Sequence, residues 1–325
     1  MSFELPPPLR ASLDRALQGA PRAALAERAA RIFEAYRDGR GSGGVIRDAD
    51  DALAYGLTRL PATFAACRAA FEATRRRAPD FAPRTLLDAG VGPGAASWAA
   101  AETWPGLAGA TWLDESAPFL ALARTLAADG PPALASADTR RGDLATAGAS
   151  RADLVVASYA LAEVATARQA DAAAALWAAC AGVLVLVEPG TPDGYQRLIT
   201  ARDGLIADGA LVLAPCPHAL PCPLSPPDWC HFAQRLARSR DQRLAKGGGA
   251  PFEDEKFAYL AVARPGVAAA APAARVLARP RLGKPGMALK LCTPQGQAER
   301  RLVARRDRAA LAAVRRLDWG DDWQG

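Results

Sequence analysis

Apolar and polar residues change their spacing once along this chain, near Arg84. Before that point "RASLDRALQGA", "RAALAERAARIFEAYR" and "ADDALAYGLTRLPATFAACRAAFEATRRR" carry apolar residues three and four positions apart, the period of a helix. This predicts an N-terminal helical region over residues 1–80. A glycine-rich joint, "DGRGSGG", is expected at Asp38–Gly44, and Pro61 is expected to break or start a helix. After Arg84, short apolar runs alternate with helical stretches: "TLLDAG", "ATWLDES", "PALASA", "ADLVVASY", "GVLVLVEPG" and "GALVLAP". Strand–helix alternation of this kind predicts an α/β unit over 81–265, with a mostly parallel sheet covered on both faces. "PDGYQRLITARDGLIAD" reads as a helix between the fifth and sixth strands.

"EKFAYLAVAR" has the composition of a seventh strand. If it closes the same sheet, residues 215–256 are a long insertion between strands six and seven. A structureless insertion of that length is more often functional than incidental. Beyond Pro265 an Ala/Pro linker leads into an extension over 266–325. There "MALKLC" and "ERRLVARR", separated by "TPQGQ", predict a hairpin followed by a short helix.

Charge sharpens this division. From His231 to Gly325 there are 19 Lys and Arg against 9 Asp and Glu, whereas the rest of the chain has 21 against 25. A basic C-terminal half on a mildly acidic body suits a phosphate-backbone partner. No apolar run reaches the ~20 residues of a bilayer span. "MSFELPPPLRASLDRAL" lacks the charged start and apolar block of a secretory signal. A cytoplasmic protein without a membrane partner is therefore expected, and in that compartment clustered cysteines point to metal or catalysis before disulfides.

Two motifs carry chemistry. In "LLDAGVGPGAASWAA", Asp88, Gly90, Gly92 and Gly94 stand at the end of the first strand and the start of a helix. Glycines allow a tight turn and close approach of a ligand to the backbone. The spacing is D-x-G-x-G-x-G rather than the dinucleotide G-x-G-x-x-G. It is the form typical of class I methyltransferases, which bind S-adenosylmethionine. Asp114 ends the second strand, where an acid can accept ribose hydroxyls. Asp143 follows the third, where a side chain can meet the adenine edge. After the fourth strand, "VVASYALAEV" puts Ser158, Tyr159 and Glu163 beside the expected ligand. None is an obvious base, so no catalytic residue is assigned, although positioning alone can drive transfer to nitrogen.

The second motif is "PCPHALPCPLSPPDWCHF", Pro215–Phe232. It holds three of the six cysteines, Cys216, Cys222 and Cys230, and both histidines, His218 and His231. A closed soft-metal site needs four ligands. Cys292, ending "MALKLC", is the natural fourth, and either histidine could substitute. Cys67 and Cys180 read as small buried residues in Ala-rich segments. Zinc ligands usually come in tighter pairs, and longer spacings can wrap a larger cubane, so zinc and an iron–sulfur centre both stay open.

These stretches resemble the methyltransferase-like family of small-ribosomal-subunit assembly proteins, the bacterial relatives of a mitochondrial small-subunit factor. The matching segments are "AYGLTRLPATFAA", "LLDAGVGPGAASWAA", "DLVVASYALAEV", "VEPGTPDGYQRLITARDGLI", "APCPHALPCPLSPPDWCHF", "EDEKFAYL" and "WGDDW", in family order from about Ala54 to Trp323. The resemblance implies a Rossmann-like class I methyltransferase domain. It also implies a [4Fe–4S] cluster on Cys216, Cys222, Cys230 and Cys292, and association with the small subunit, or its precursor, near ribosomal RNA. Val91 stands where the family usually has Ala.

Overall fold

The computed structural model describes residues 3–37, 41, 44–149 and 151–324. Most of the glycine-rich joint at Asp38–Gly44 therefore lies outside the described residues. Three helices open the chain: α1 (Pro7–Ala16), α2 (Arg22–Arg37) and α3 (Ala49–Arg77). The α/β unit follows as β1 (Thr85–Ala89), α4 (Ala95–Thr103), β2 (Gly109–Asp114), α5 (Ala117–Ala127), α6 (Pro132–Ala135), β3 (Asp138–Arg141), β4 (Ala152–Ser158), α7 (Gln169–Ala179), β5 (Cys180–Pro189), α8 (Pro192–Ala207) and β6 (Leu211–Ala214). Next come β7 (Phe232–Ala237), α9 (Arg240–Ala245) and β8 (Phe252–Ala263). The extension is β9 (Ala274–Val276), β10 (Arg281–Leu282), β11 (Gly286–Cys292), β12 (Ala298–Ala304), α10 (Arg308–Val314) and β13 (Asp322–Trp323).

Among the described residues, eight strands form one sheet in the order β3-β2-β1-β4-β5-β8-β6, with β7 paired to β8. Strands β1 to β5 pair in parallel, and β8 runs antiparallel to both β5 and β6. The central strands read as unbroken apolar runs because both their faces are covered. Leu86, Leu154, Val183 and Val185 face a core shared with α1 to α5. Leu87, Val155, Leu184 and Leu186 face α7 and α8. The expected seventh strand is thus β8, and the cysteine segment is an insertion between β6 and β8.

Three local expectations need correction. The third strand is not "PALASA" but the polar "DTRR" of β3; Pro131 and Pro132 start a helical turn, α6, instead. As an edge strand paired only to β2, β3 carries no apolar signature. Pro61 lies inside an unbroken α3. An interior proline costs about 3 kcal/mol, and burial of Leu57, Leu60, Phe64 and Phe71 offsets it at roughly 1.5–3 kcal/mol per side chain. The insertion is also not structureless. β7 pairs antiparallel with the outer half of β8, from Phe232 opposite Phe257 to Ala237 opposite Phe252. Ser239 and Gln242 then form a reciprocal capping box on α9.

The extension forms a second sheet, in which β11 pairs with β9, β10 and β12. β11 and β12 are the expected hairpin, and α10 the expected helix. Val276, Met287, Leu289, Leu291, Leu311 and Val314 give this sheet a small core of its own. Among the described residues no helix is long and apolar enough to cross a membrane.

α3 ties the N-terminal helices to the sheet, packing on α2 at one side and on α4, α5 and β8 at the other. Its first turn is fixed by Asp51, a fully buried carboxylate. Arg28 Nη1 donates to its Oδ1 at 2.6 Å and Arg31 Nη2 at 2.5 Å, while the Arg47 backbone N–H donates to Oδ2 at 3.1 Å. Burial would raise its pKa; the arginines overcome this and pull it to about 2. Asp51→Ala is expected to cost roughly 2–3 kcal/mol, the scale of hydrogen bonds to a charged group. The wild-type carboxylate contributes stability above its unfolded pKa, about 4, and loses that contribution as pH falls toward 2. Urea midpoints across that range should show the acid limb weakened in the variant.

Candidate functional site

The glycine turn and the ends of β2 and β4 enclose a cavity of about 240 Å³. Gly90, Gly92 and Gly94 all take positive φ, at 76°, 53° and 91°. A Cβ on Gly90 would sit 2.5 Å from the Ala160 Cβ, whereas one on Gly92 would meet nothing within 4 Å. Gly90 thus lets the turn pack under the β4 loop, and Gly92 keeps the backbone open to the cavity. Asp114 Oδ2 accepts from the Gly92 N–H and Oδ1 from the Ser116 N–H, each at 2.8 Å. This carboxylate shapes the turn and lines the cavity at once. Burial raises its pKa, and the two N–H groups act against that rise.

Asp143 and Ser158 line the same cavity. Asp143 Oδ1 is buried and has no partner, while Oδ2 accepts from Arg168 at 3.3 Å. Asp88 and Gly94 do not reach the lining. Gly94 is the left-handed N-cap of α4. Asp88 lies fully buried beneath the turn and accepts from Ser97 Oγ at 2.6 Å. Desolvation lifts its pKa to about 7.

Tyr55, Thr63 and Phe119 also line the cavity, and Arg59 stands behind it over the Tyr159 ring; the sequence reading missed all four. Tyr55, Arg59 and Thr63 recur every four residues on α3, a polar stripe in a helix of Leu and Ala, which was the available signal. Arg59 grips Glu255 of β8 with both nitrogens, at 3.0 and 2.8 Å. Tyr159 donates its hydroxyl to Glu255 Oε1 at 2.7 Å. Burial would raise the pKa of Glu255, but Arg59 holds it below the ordinary range. Tyr159 itself sits at φ 59°, a left-handed conformation unusual for a tyrosine. Its hydroxyl is engaged, so it offers no free base to the cavity.

The cysteines build a second cavity. Cys216, Cys222 and Cys230 of the insertion and Cys292 of β11 line one apolar pocket with Tyr195, Arg202, Arg275 and β8 residues 258–260. Burial raises the Cys230 thiol pKa strongly, and the nearby Cys216, Cys222 and Cys292 raise it further. Cys292 is pushed up to about 12, by burial first and then by Cys216 and Cys222. Among the described residues no three His, Cys, Asp or Glu side chains close on a single metal ion. His218 Nδ1 lies 3.1 Å from the Leu220 carbonyl, and its Nε2 lies 3.3 Å from Cys292 Sγ. His231 instead stacks on Trp229, with ring centroids 4.9 Å apart. Cys67 and Cys180 are buried elsewhere, in α3 and at the start of β5.

Local sequence explains how α8 faces this pocket. In "VEPGTPDG", Thr191 caps α8 by accepting from the Gly194 N–H at 3.1 Å. A Cβ on Gly194 would sit 2.1 Å from the Pro189 carbonyl oxygen, so only glycine permits the tight start. Tyr195 and Arg202 then fall two turns apart on the buried face.

The strand order, with antiparallel β8 between β5 and β6, and the glycine turn beside β2 define a class I methyltransferase fold. The model of the family described as mitochondrial small ribosomal subunit Rsm22 matches residues 49–324, and the chain belongs to that family. It is 32% identical over 287 residues to the human mitochondrial ribosome assembly protein METTL17, covering 83% of this chain and 61% of that protein. The chain thus spans less than two thirds of that curated relative. Similar solved structures include an RNA methyltransferase-like protein, PH1948, of Pyrococcus horikoshii, with 12% identity, TM-score 0.40, and 62% of this chain and 84% of that chain covered. Another is magnesium protoporphyrin IX methyltransferase of Synechocystis, with 16% identity, TM-score 0.41, and 71% and 90% covered.

Asp88 gives this region a pH signature. Its pKa rises from 3.8 to about 7 on folding, so its contribution to stability is complete below the unfolded value and is lost as pH rises through 7. Glu188, raised to about 7 by burial against the pull of Arg197, behaves alike. Asp88→Asn is expected to flatten the fall in urea midpoint between about pH 4 and 7, leaving the part owed to Glu188 and Asp114. An unchanged slope would contradict this assignment.

Proposed function

We propose that this protein is an assembly factor of the small ribosomal subunit that binds S-adenosylmethionine in the glycine-turn cavity and a [4Fe–4S] cluster on Cys216, Cys222, Cys230 and Cys292. The observation that carries this reading is the convergence of three insertion cysteines with one from a separate sheet on a single apolar pocket. Membership of a small-subunit ribosomal family supports the site of action.

The adenosylmethionine assignment rests on donor chemistry. Gly92 leaves open space against the backbone, Asp114 would take ribose hydroxyls, and the unpartnered Asp143 Oδ1 would take the adenine amino group. A buried acceptor without a partner costs about 1–3 kcal/mol, which such a ligand would recover. The cluster assignment rests on four thiols lining one apolar pocket, the donor set such a cluster takes, with zinc as the alternative. Bound there, it would supply a covalent cross-link between the insertion and the C-terminal sheet, with folding coupled to metal uptake.

The partner surface is set by strand register. Cys292 pairs with Arg275 and Ala298, Lys290 with Arg300, and Ala288 with both Leu302 and Arg281. These residues share one face of the second sheet. Arg275 and Cys292 are buried against the insertion, while Arg281, Arg300 and the 53%-exposed Leu302 lie open. An exposed basic strip running on from the cysteine pocket suits ribosomal RNA backbone. A second reading, methyl transfer to that RNA, is favoured by the open Gly92 and Asp114; the engaged Tyr159 hydroxyl favours a binding role without it.

The test is anaerobic purification with iron and acid-labile sulfide analysis, and calorimetric titration with S-adenosylmethionine. Iron and sulfide together, and binding that Gly92→Arg abolishes while the fold persists, are the expected outcome. Zinc without sulfide would overturn the cluster, and equal binding by Gly92→Arg would overturn the ligand site. In a deletion strain, loss of one ribosomal-RNA methyl mark restored by wild type but not by Gly92→Arg would establish transfer. An unchanged mark map with accumulated precursor particles would establish the binding role.

A further inference from the structure

Three side chains that line the cysteine pocket beside the four thiols carry polar donors. Arg202 of α8 and Arg275 of β9 are 1% and 2% exposed. Arg202 Nη2 donates to the carbonyls of His218, at 3.0 Å, and Leu220, at 2.7 Å, between the first two insertion cysteines. Its Nη1 meets the exposed Asp203 at 3.1 Å, but its buried Nε has no partner. Arg275 Nε donates to the Pro215 carbonyl beside Cys216 at 3.1 Å, and Nη1 to the Gly320 carbonyl at 2.6 Å. Its Nη2 lies 2.8 Å from Asp322 Oδ1. Tyr195 donates its hydroxyl to Cys222 Sγ at 3.1 Å.

Buried guanidiniums are costly unless matched by negative charge. Carbonyls, the exposed Asp203 and the partly exposed Asp322 do not fully match this pair, and an orphaned Nε at the pocket of four thiols marks where an anion is wanted. Four thiolates around a [4Fe–4S]²⁺ core carry a net charge of −2 by formal count, equal and opposite to the two arginines.

We infer that Arg202, Arg275 and Tyr195 are electrostatic positioning residues for this centre: they neutralise its charge, hold the insertion around it, and set its reduction potential. The inference rests on the cluster reading above. One-electron reduction by dithionite would add negative charge to the core without making or breaking a bond. Donors and cations at the sulfurs stabilise that added charge and raise the potential. Removing the Tyr195 hydroxyl or the Arg202 charge should therefore lower it. Arg202 and Tyr195 come from one face of α8, so a helix of the methyltransferase fold tunes a centre otherwise built from the insertion and the extension.

The experiment compares reconstituted wild type, Tyr195→Phe, Arg202→Met and Arg202→Lys as full-length chains. Iron and sulfide are measured first. Each is then titrated with dithionite under redox mediators and followed by electron paramagnetic resonance. Tyr195→Phe should keep full iron content with a midpoint potential shifted negative. Arg202→Met should shift it further, and Arg202→Lys should restore part of that shift. Variants with wild-type iron content that titrate at the wild-type potential would overturn the inference. Should Arg202→Met fail to fold, Tyr195→Phe, which loses only a hydroxyl, decides alone. Wild type without iron and sulfide would instead defeat the cluster reading itself, and the inference with it.

Discussion

Charge buried in a low-dielectric interior must be answered nearby, and in this molecule Arg202 and Arg275 set that demand beside four cysteine sulfurs. The surrounding geometry answers it in part. Arg202 gathers the carbonyls of the proline-broken loop, which places Cys216 and Cys222 on the pocket wall. Arg275 ties the start of that loop to Gly320 and Asp322 at the far end of the chain. Insertion and C-terminal sheet thus meet around a polar constraint, with Trp319 packed on His231 and Phe232 beside it. The pair of Lys290 with Asp228 adds a contact at the rim.

The two cavities are joined by β8. Its residues 258–260 form one wall of the cysteine pocket. Three positions earlier, Glu255 holds Arg59 and Tyr159 behind the glycine-turn cavity. Its outer half carries β7, into which the cysteine loop runs. An ordered insertion therefore fixes the strand that in turn fixes the floor of the ligand site. This gives a methyltransferase fold a structural reason to keep a formed cavity.

Much of this was legible in the sequence, and the failures have physical causes. The buried strands β1, β4 and β5 announced themselves because both faces are apolar. β3 did not, since an edge strand of Asp, Thr and Arg has no such pattern. Pro61 misled because burial along α3 outweighs a local rule. The four cysteines stood out by rarity in a chain with six Cys and two His. Tyr195, Arg202 and Arg275 did not, because arginine is abundant here and pairing across the fold cannot be read from spacing. Asp88 looked like a ligand contact by its place beside the glycines, but it lies under the turn and supports it through Ser97.

We propose that one inorganic centre fastens the C-terminal sheet to the insertion. Hydrogen exchange measured by mass spectrometry, with the centre intact and after its removal by chelation under reducing conditions, tests this most directly. Residues 215–237 and 274–304 should lose protection together while β1, β4 and β5 keep theirs. Undiminished protection of the C-terminal strands after metal removal would contradict it.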